Sequence, residues 1–327
     1  MLMRCANGFG GVALAAMLAQ ETQAKTFNPL APKKPHFKAK ATSIIFLYMD
    51  GGPSQVDTFD PKPLLAKENG KPFGMKMEAT QFNNNGKTLA SLWEFKNYGQ
   101  AGIPISDLFP HVAKHADKLC VLRSMTSDFS EHTNGNYFLH TGFGQSGRPS
   151  MGAWTNYGLG SKNQNLPGFI VLNGGLIPPG GLDCFSSGFL PAAYQGSVFK
   201  YGNKPISNIA RAERTPELQQ NKLKLLRQLD QGVLSRLGHL DQIESAIANH
   251  ELAFRMQAAV PELVDLKGES ESTKALYGLN EKFRNTATFG RNCLIARRLV
   301  ERGVRFIELT CPGGSGDRWD QHNNLKD

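Results

Sequence analysis

The chain has 327 residues, 40% of them apolar, with 34 Gly and 18 Pro. This composition excludes a disordered or fibrous protein, and at roughly 150 residues per domain the length suits one large domain or two ordinary ones. The net charge of +9 is a poor argument for nucleic acid, because residues 1–42 hold six basic residues against one acidic and so +5 of the total, whereas nucleic-acid binders concentrate positive charge on a face of the folded body.

In chain order, Arg4 precedes a short apolar run, Ala6 to Ala19, and Thr22-Gln23-Ala24 supplies small residues ahead of a cleavage point. Residues 1–24 therefore read as a secretory signal, which predicts a secreted or periplasmic protein. Residues 25–42 are rich in Lys and Pro and read as an exposed linker. No later window holds 18 consecutive apolar residues, so no stable membrane span is expected in the mature chain.

Residues 43–49 (SIIFLYM), stopped by Asp50-Gly51-Gly52-Pro53, predict a strand buried on both faces. Ser106 to Lys118 predicts a helix capped by Ser106 or Asp107, followed by a strand over 119–122. Phe169 to Leu172 predicts a third strand. A long helix is expected from Thr215-Pro216-Glu217, with Leu226, Leu229, Val233, Leu237, Leu240 and Ile243 forming an apolar stripe against the core and Pro261 ending or kinking it. A helix over Arg291–Arg302 stops at Gly303, and Val304 to Thr310 alternates as a strand. Strands alternating with helices predict an α/β fold, whose ligands sit at the carboxyl ends of the strands.

Three polar segments carry the candidate chemistry. Asp50 and Asp57 lie in the loop after the first strand, where carboxylates suit either a hard cation or Asx turns. Glu131 to Gly142 (EHTNGNYFLHTG) clusters two His, a Thr and two Asn. A hydroxyl there can become a nucleophile beside a cation, and Thr133 or Asn134 can equally cap a helix. Asp320 and His322, two apart after the last strand, are a zinc-compatible donor pair. The Gly142–Gly147 match to GxGxxG lacks a preceding strand and an acidic partner, which excludes the dinucleotide reading. None of the five Cys lies in a CxxC, so a cysteine metal site is not expected, while Cys120, Cys184, Cys293 and Cys311 leave room for one or two disulfides whose pairing the sequence does not set.

The segments FLYMDGGPSQVDTFDPKP, EHTNGNYFLHTGFGQSGRPSMGAW, YGLGSKNQNLPGFIVL and RFIELTCPGGSGDRWDQHNN together resemble the alkaline phosphatase-like superfamily, which includes the sulfatases. Within it, residues 43–327 resemble an uncharacterised secreted family, a domain of unknown function. The resemblance implies a three-layer α/β/α sandwich with a mostly parallel central sheet, incomplete at its C-terminus. It implies metal-assisted hydrolysis of a small-molecule or glycan sulfate or phosphate ester. Asp50, Asp320 and His322 would hold a divalent ion (zinc, calcium or manganese), and Thr133 or His132 would face the ester. Arg123 or Arg148 would hold the anion through a guanidinium fork. The superfamily's later ligands have no counterpart here, so the fragment is expected to be inactive. The alternative expectation is a non-catalytic secreted module that binds anionic glycans or a surface partner.

Overall fold

In the computed structural model, residues 28–76, 86–175, 177–238, 241–313, 319–320, 322 and 325–326 are described. The signal-like segment 1–24, Asn83–Asn85 and Leu240 lie outside them. Among the described residues there are six strands: β1 (Ile44–Leu47), β2 (Phe95–Tyr98), β3 (Ile103–Ser106), β4 (Phe169–Leu172), β5 (Ser197–Phe199) and β6 (Phe306–Leu309). Among the described residues there are eight α-helices: α1 (Pro63–Lys67), α2 (Pro110–Ala113), α3 (His132–Thr141), α4 (Met151–Leu159), α5 (Pro216–Leu237), α6 (Asp241–Val264), α7 (Glu271–Leu276) and α8 (Arg284–Glu301). The fold is mixed α/β.

Side-chain alternation along β4 and β6 builds the core. Four strands form a parallel sheet in the order β1-β6-β4-β5. Ile170, Leu172, Ile307 and Leu309 point to one face, where they meet Leu252, Met256, Val260 and Leu263 of α6 and Ile295, Ala296 and Leu299 of α8. Phe169, Val171 and Phe306 point to the other, against Cys184 and Phe185 of a 3-10 turn and Tyr137 of α3. Both faces of these central strands are covered, as a parallel sheet requires. The antiparallel pair β2–β3 forms a separate ribbon with a small core around Ile105, Ala113 and Ala116.

Several expectations are corrected. β1 is not buried on both faces: Ile44, Ile45 and Leu47 are 45%, 43% and 46% exposed. It lies at the sheet edge, and among the described residues only β6 pairs with it. Residues 119–122 form no strand, because 103–106 pairs with β2 instead and the chain then runs through α2 and a 3-10 turn. The helix expected from Ser106 starts only at Pro110, with Phe109 at its N-cap. α5 starts as predicted, with Thr215 capping Leu218 N–H and Pro in the first turn, but it stops at Gly238, and a second helix, α6, follows from Asp241 and carries Pro261 within it. Of the expected stripe, Leu226 and Val233 line a groove between α5 and α6 rather than the sheet core, Ile243 belongs to α6, and Leu226 and Leu229 remain exposed. Cys120, Cys184, Cys293 and Cys311 are free thiols, so the one or two disulfides the sequence left open do not form among them. Of the Lys- and Pro-rich stretch, Leu30 enters the core and Lys33 Nζ donates to Tyr157 O at 2.7 Å, while residues 34–42 stay on the surface.

Candidate functional site

β1 and β6 are neighbours, so the loops leaving their carboxyl ends start side by side. Asp50 follows β1 and is 2% exposed. Its main-chain oxygen accepts the N–H of Trp319 at 3.4 Å, and the Trp319 ring stacks on Phe109, 5.9 Å between centroids. Gly51 makes this approach achievable. A Cβ there would stand 2.5 Å from Asp320 N, and the backbone sits at φ +96, a region that favours glycine. Burial holds the Cys311 thiol above its ordinary pKa, with the Asp50 carboxylate adding repulsion, and its Sγ donates to Tyr48 O at 3.3 Å.

The third segment arrives on α3. Glu131 caps this helix: its Oε2 accepts Thr133 N–H at 2.8 Å and Asn134 N–H at 3.2 Å, and its Oε1 accepts the Thr133 hydroxyl at 3.2 Å. Thr133 and Asn134 are therefore not the cap. The amide of Thr133 leads the hydrogen bonds that hold the Glu131 carboxyl below its usual range. A carboxylate already occupies the helix N-terminus, so its dipole is answered internally.

His132, the first residue of α3, turns its Nε2 to Asp320 Oδ2 at 3.3 Å, while His322 Nε2 stands 3.3 Å from Asp320 Oδ1. The two loops and the helix thus converge. All three side chains are accessible to solvent. A separation of about 3.3 Å is also the edge of a tetrahedron built on bonds of about 2.0 Å, the zinc–nitrogen and zinc–oxygen length. Two imidazoles and a carboxylate suit zinc or manganese better than calcium, which prefers oxygen donors throughout. Among the described residues, no group of three or more His, Cys, Asp or Glu is placed so that it could hold a metal ion as it stands.

The two arginines have other partners. Arg123 Nε donates to Phe59 O at 3.1 Å and stands 3.9 Å from Asp60, bracing the loop after β1. Arg148 lies over the rings of Phe143 (4.9 Å) and Phe189 (5.9 Å), with Trp154 edge-on to Phe189 at 5.8 Å. The Gly142–Gly147 loop follows a helix rather than a strand and folds back so that Asn134 Nδ2 donates to Gly144 O at 2.7 Å.

Beneath the site lies a pair that sequence reading missed. His140 and Glu308, 1% and 2% exposed, are joined by a 2.7 Å contact between Nε2 and Oε1. His140 Nδ1 is 2.7 Å from Asn136 O. The signal available in the sequence was a lone carboxylate in an otherwise apolar strand, FIEL.

A family model described as a protein of unknown function (DUF1501) matches residues 41–327. No curated protein and no solved structure matches the chain.

Proposed function

The chain belongs to the DUF1501 family of proteins of unknown function, and we propose that its domain is a metal-assisted sulfate or phosphate ester hydrolase of the alkaline phosphatase-like superfamily, working outside the cytoplasm. The observation that carries the reading is Asp320 held between His132 and His322 at 3.3 Å on each side. Donors from two distant segments meet at the carboxyl edge of a parallel sheet, the usual ligand position in such folds.

Asp320, His322 and His132 would hold the divalent ion, and Asp50 fixes the loop that presents Asp320. A bound ion would polarise the ester oxygens as a Lewis acid. Asp320 orients both imidazoles. Glu131 holds the Thr133 hydroxyl proton, which leaves the oxygen lone pairs directed away from the cap. With its carboxyl below the usual range, Glu131 orients this hydroxyl rather than removing its proton.

A second reading, an anionic-glycan-binding module, is favoured by a different feature. Arg148 is stacked among exposed Phe143 and Phe189, so its in-plane N–H groups remain available for a sulfate or carboxylate.

Calorimetric titration of the metal-free full chain with zinc tests both readings. The hydrolase reading expects one site and an affinity loss of at least about tenfold in Asp320→Asn and His322→Ala, with little or no turnover of p-nitrophenyl sulfate or phosphate by residues 1–327. No zinc binding, with heparin retention that Arg148→Ala abolishes, would replace it with the second reading.

A further inference from the structure

We propose that His140 and Glu308 are a positioning pair for the site: sharing one internal proton, they fix α3 on β6 and so hold His132 against Asp320. This rests on the reading that those residues form the working site.

The protonation follows from the partners. His140 Nδ1 faces the carbonyl oxygen of Asn136 at 2.7 Å and must carry a hydrogen. Nε2 faces Glu308 Oε1 at 2.7 Å, so one proton lies between them whether the pair is written as imidazolium–carboxylate or imidazole–carboxylic acid. Either form is neutral as a unit, which is the form an interior tolerates. Asn136 adds a second tie. Its Oδ1 accepts the Tyr48 hydroxyl and its Nδ2 donates to Pro179 O at 2.8 Å. The helix is therefore held to the end of β1 through Tyr48, two residues before Asp50, and to β6 through Glu308. His132 stands eight residues up the same helix, about 12 Å along its axis. Phe46, Tyr48 and Phe185 enclose the imidazole, with ring centroids 6.0, 4.8 and 5.7 Å away. The other titratable groups facing the pair are Tyr48 from the end of β1 and Cys184 from the 3-10 turn. Burial first, then the Glu308 and Asp183 charges, push the Cys184 thiol up to about 12, so it stays protonated.

Burial pulls the His140 imidazole down, but the hydrogen bond and charge of Glu308 outweigh it and leave its pKa raised from 6.5. Burial raises the Glu308 carboxyl from 4.5 against the pull of His140. Both shifts are upward, so the native state holds protons that the unfolded chain has released. Stability from the pair is then greatest on the acid side and falls as pH rises past those ordinary values through the native ones.

The test compares wild type, Glu308→Leu and Glu308→Gln as full chains by hydrogen exchange of α3, by melting between pH 5 and 9, and by zinc titration. Glu308→Leu leaves Nε2 without a partner. It is expected to speed α3 exchange and weaken zinc binding by about tenfold, because the helix that carries His132 loses its support. Gln can donate to a neutral imidazole, so Glu308→Gln should restore both to within about threefold of wild type and flatten the melting profile with pH. Wild-type exchange and zinc affinity in Glu308→Leu would overturn the proposal. If Glu308→Leu does not fold, Glu308→Gln decides: protected α3 with a flattened profile supports the pair, and lost protection or an unchanged profile overturns it. A wild-type chain that binds no zinc removes the metal reading, and the exchange and melting comparisons still decide the clamp.

Discussion

Single residues here are governed by which neighbour reaches them first. Glu131 answers the α3 amides before any external anion can, and Asp320 divides its two oxygens between two imidazoles. Glu308 is tolerated in the sheet because His140 meets it, and breaking such a buried pair from one side costs about 3–5 kcal/mol. The cysteines follow the same rule of local surroundings. Burial pushes the Cys184 thiol up to about 12 and the Cys293 thiol up to about 11, while Cys120 is exposed. The thiolate is the reacting form. Of Cys120, Cys184, Cys293 and Cys311, only Cys120 should be alkylated by iodoacetamide in the native protein at pH 8, as peptide mass spectrometry would show. Native labelling of Cys184 at a similar rate would contradict the burial described for it.

At the level of elements, ends and edges carry the information. α4 begins with Ser150 accepting Ala153 N–H at 3.3 Å and ends at Gly160. Gly160 sits at φ +62, and a Cβ there would lie 1.9 Å from Ala31 O. That backbone is the segment whose Leu30 enters the core, so it has little freedom to move aside. Gly160→Ala is expected to lower stability by about 1–3 kcal/mol, as overpacking does, read as a shifted urea midpoint. Gly158→Ala on the same helix meets open space and should be neutral or stabilise by up to about 1 kcal/mol. Equal losses at both positions would mean that the Ala31 contact does not matter. β1 shows the opposite situation. Its apolar run has the composition of a central strand, yet it lies at an edge with three exposed aliphatic side chains, the kind of strand that invites pairing with another chain.

Across the whole molecule, cohesion is uneven. α8 buries Leu294, Ile295, Ala296 and Leu299 against the sheet. α5 has Leu218, Leu225 and Leu229 exposed, and its apolar side meets α6 across a groove lined by Leu223, Leu226, Val233 and Ile247. Opening free energies track buried apolar contact. Amides of α5 should therefore exchange at least about tenfold faster than those of α8 under native conditions. Equal protection by mass spectrometry or NMR would show that something covers the α5 leucines in solution. The region around α3, β1 and β6 belongs to the cohesive part, where a site needs its supports.

Features encoded within one turn or one strand were legible from the chain alone. Phe169-Ile170-Val171-Leu172 is β4 as read, because four apolar residues between Pro167-Gly168 and a polar loop leave few alternatives. Thr215 and Pro216 mark the start of α5 because capping acts over three or four residues, whereas its end at Gly238, short of the expected Pro261, was not read. Asp50, Asp320 and His322 were legible as candidates because they lie in polar loops after strands, where ligands collect in α/β folds, and His132 because its segment carries the family resemblance. Tertiary structure alone decided that His132 meets Asp320, that Arg123 braces the loop after β1 while Arg148 lies on Phe143 and Phe189, that β1 is an edge, and that Glu308 meets His140 across 168 residues. The reason is physical: caps and periodicity depend on near neighbours, whereas burial, pairing and protonation depend on what the fold brings across the sheet.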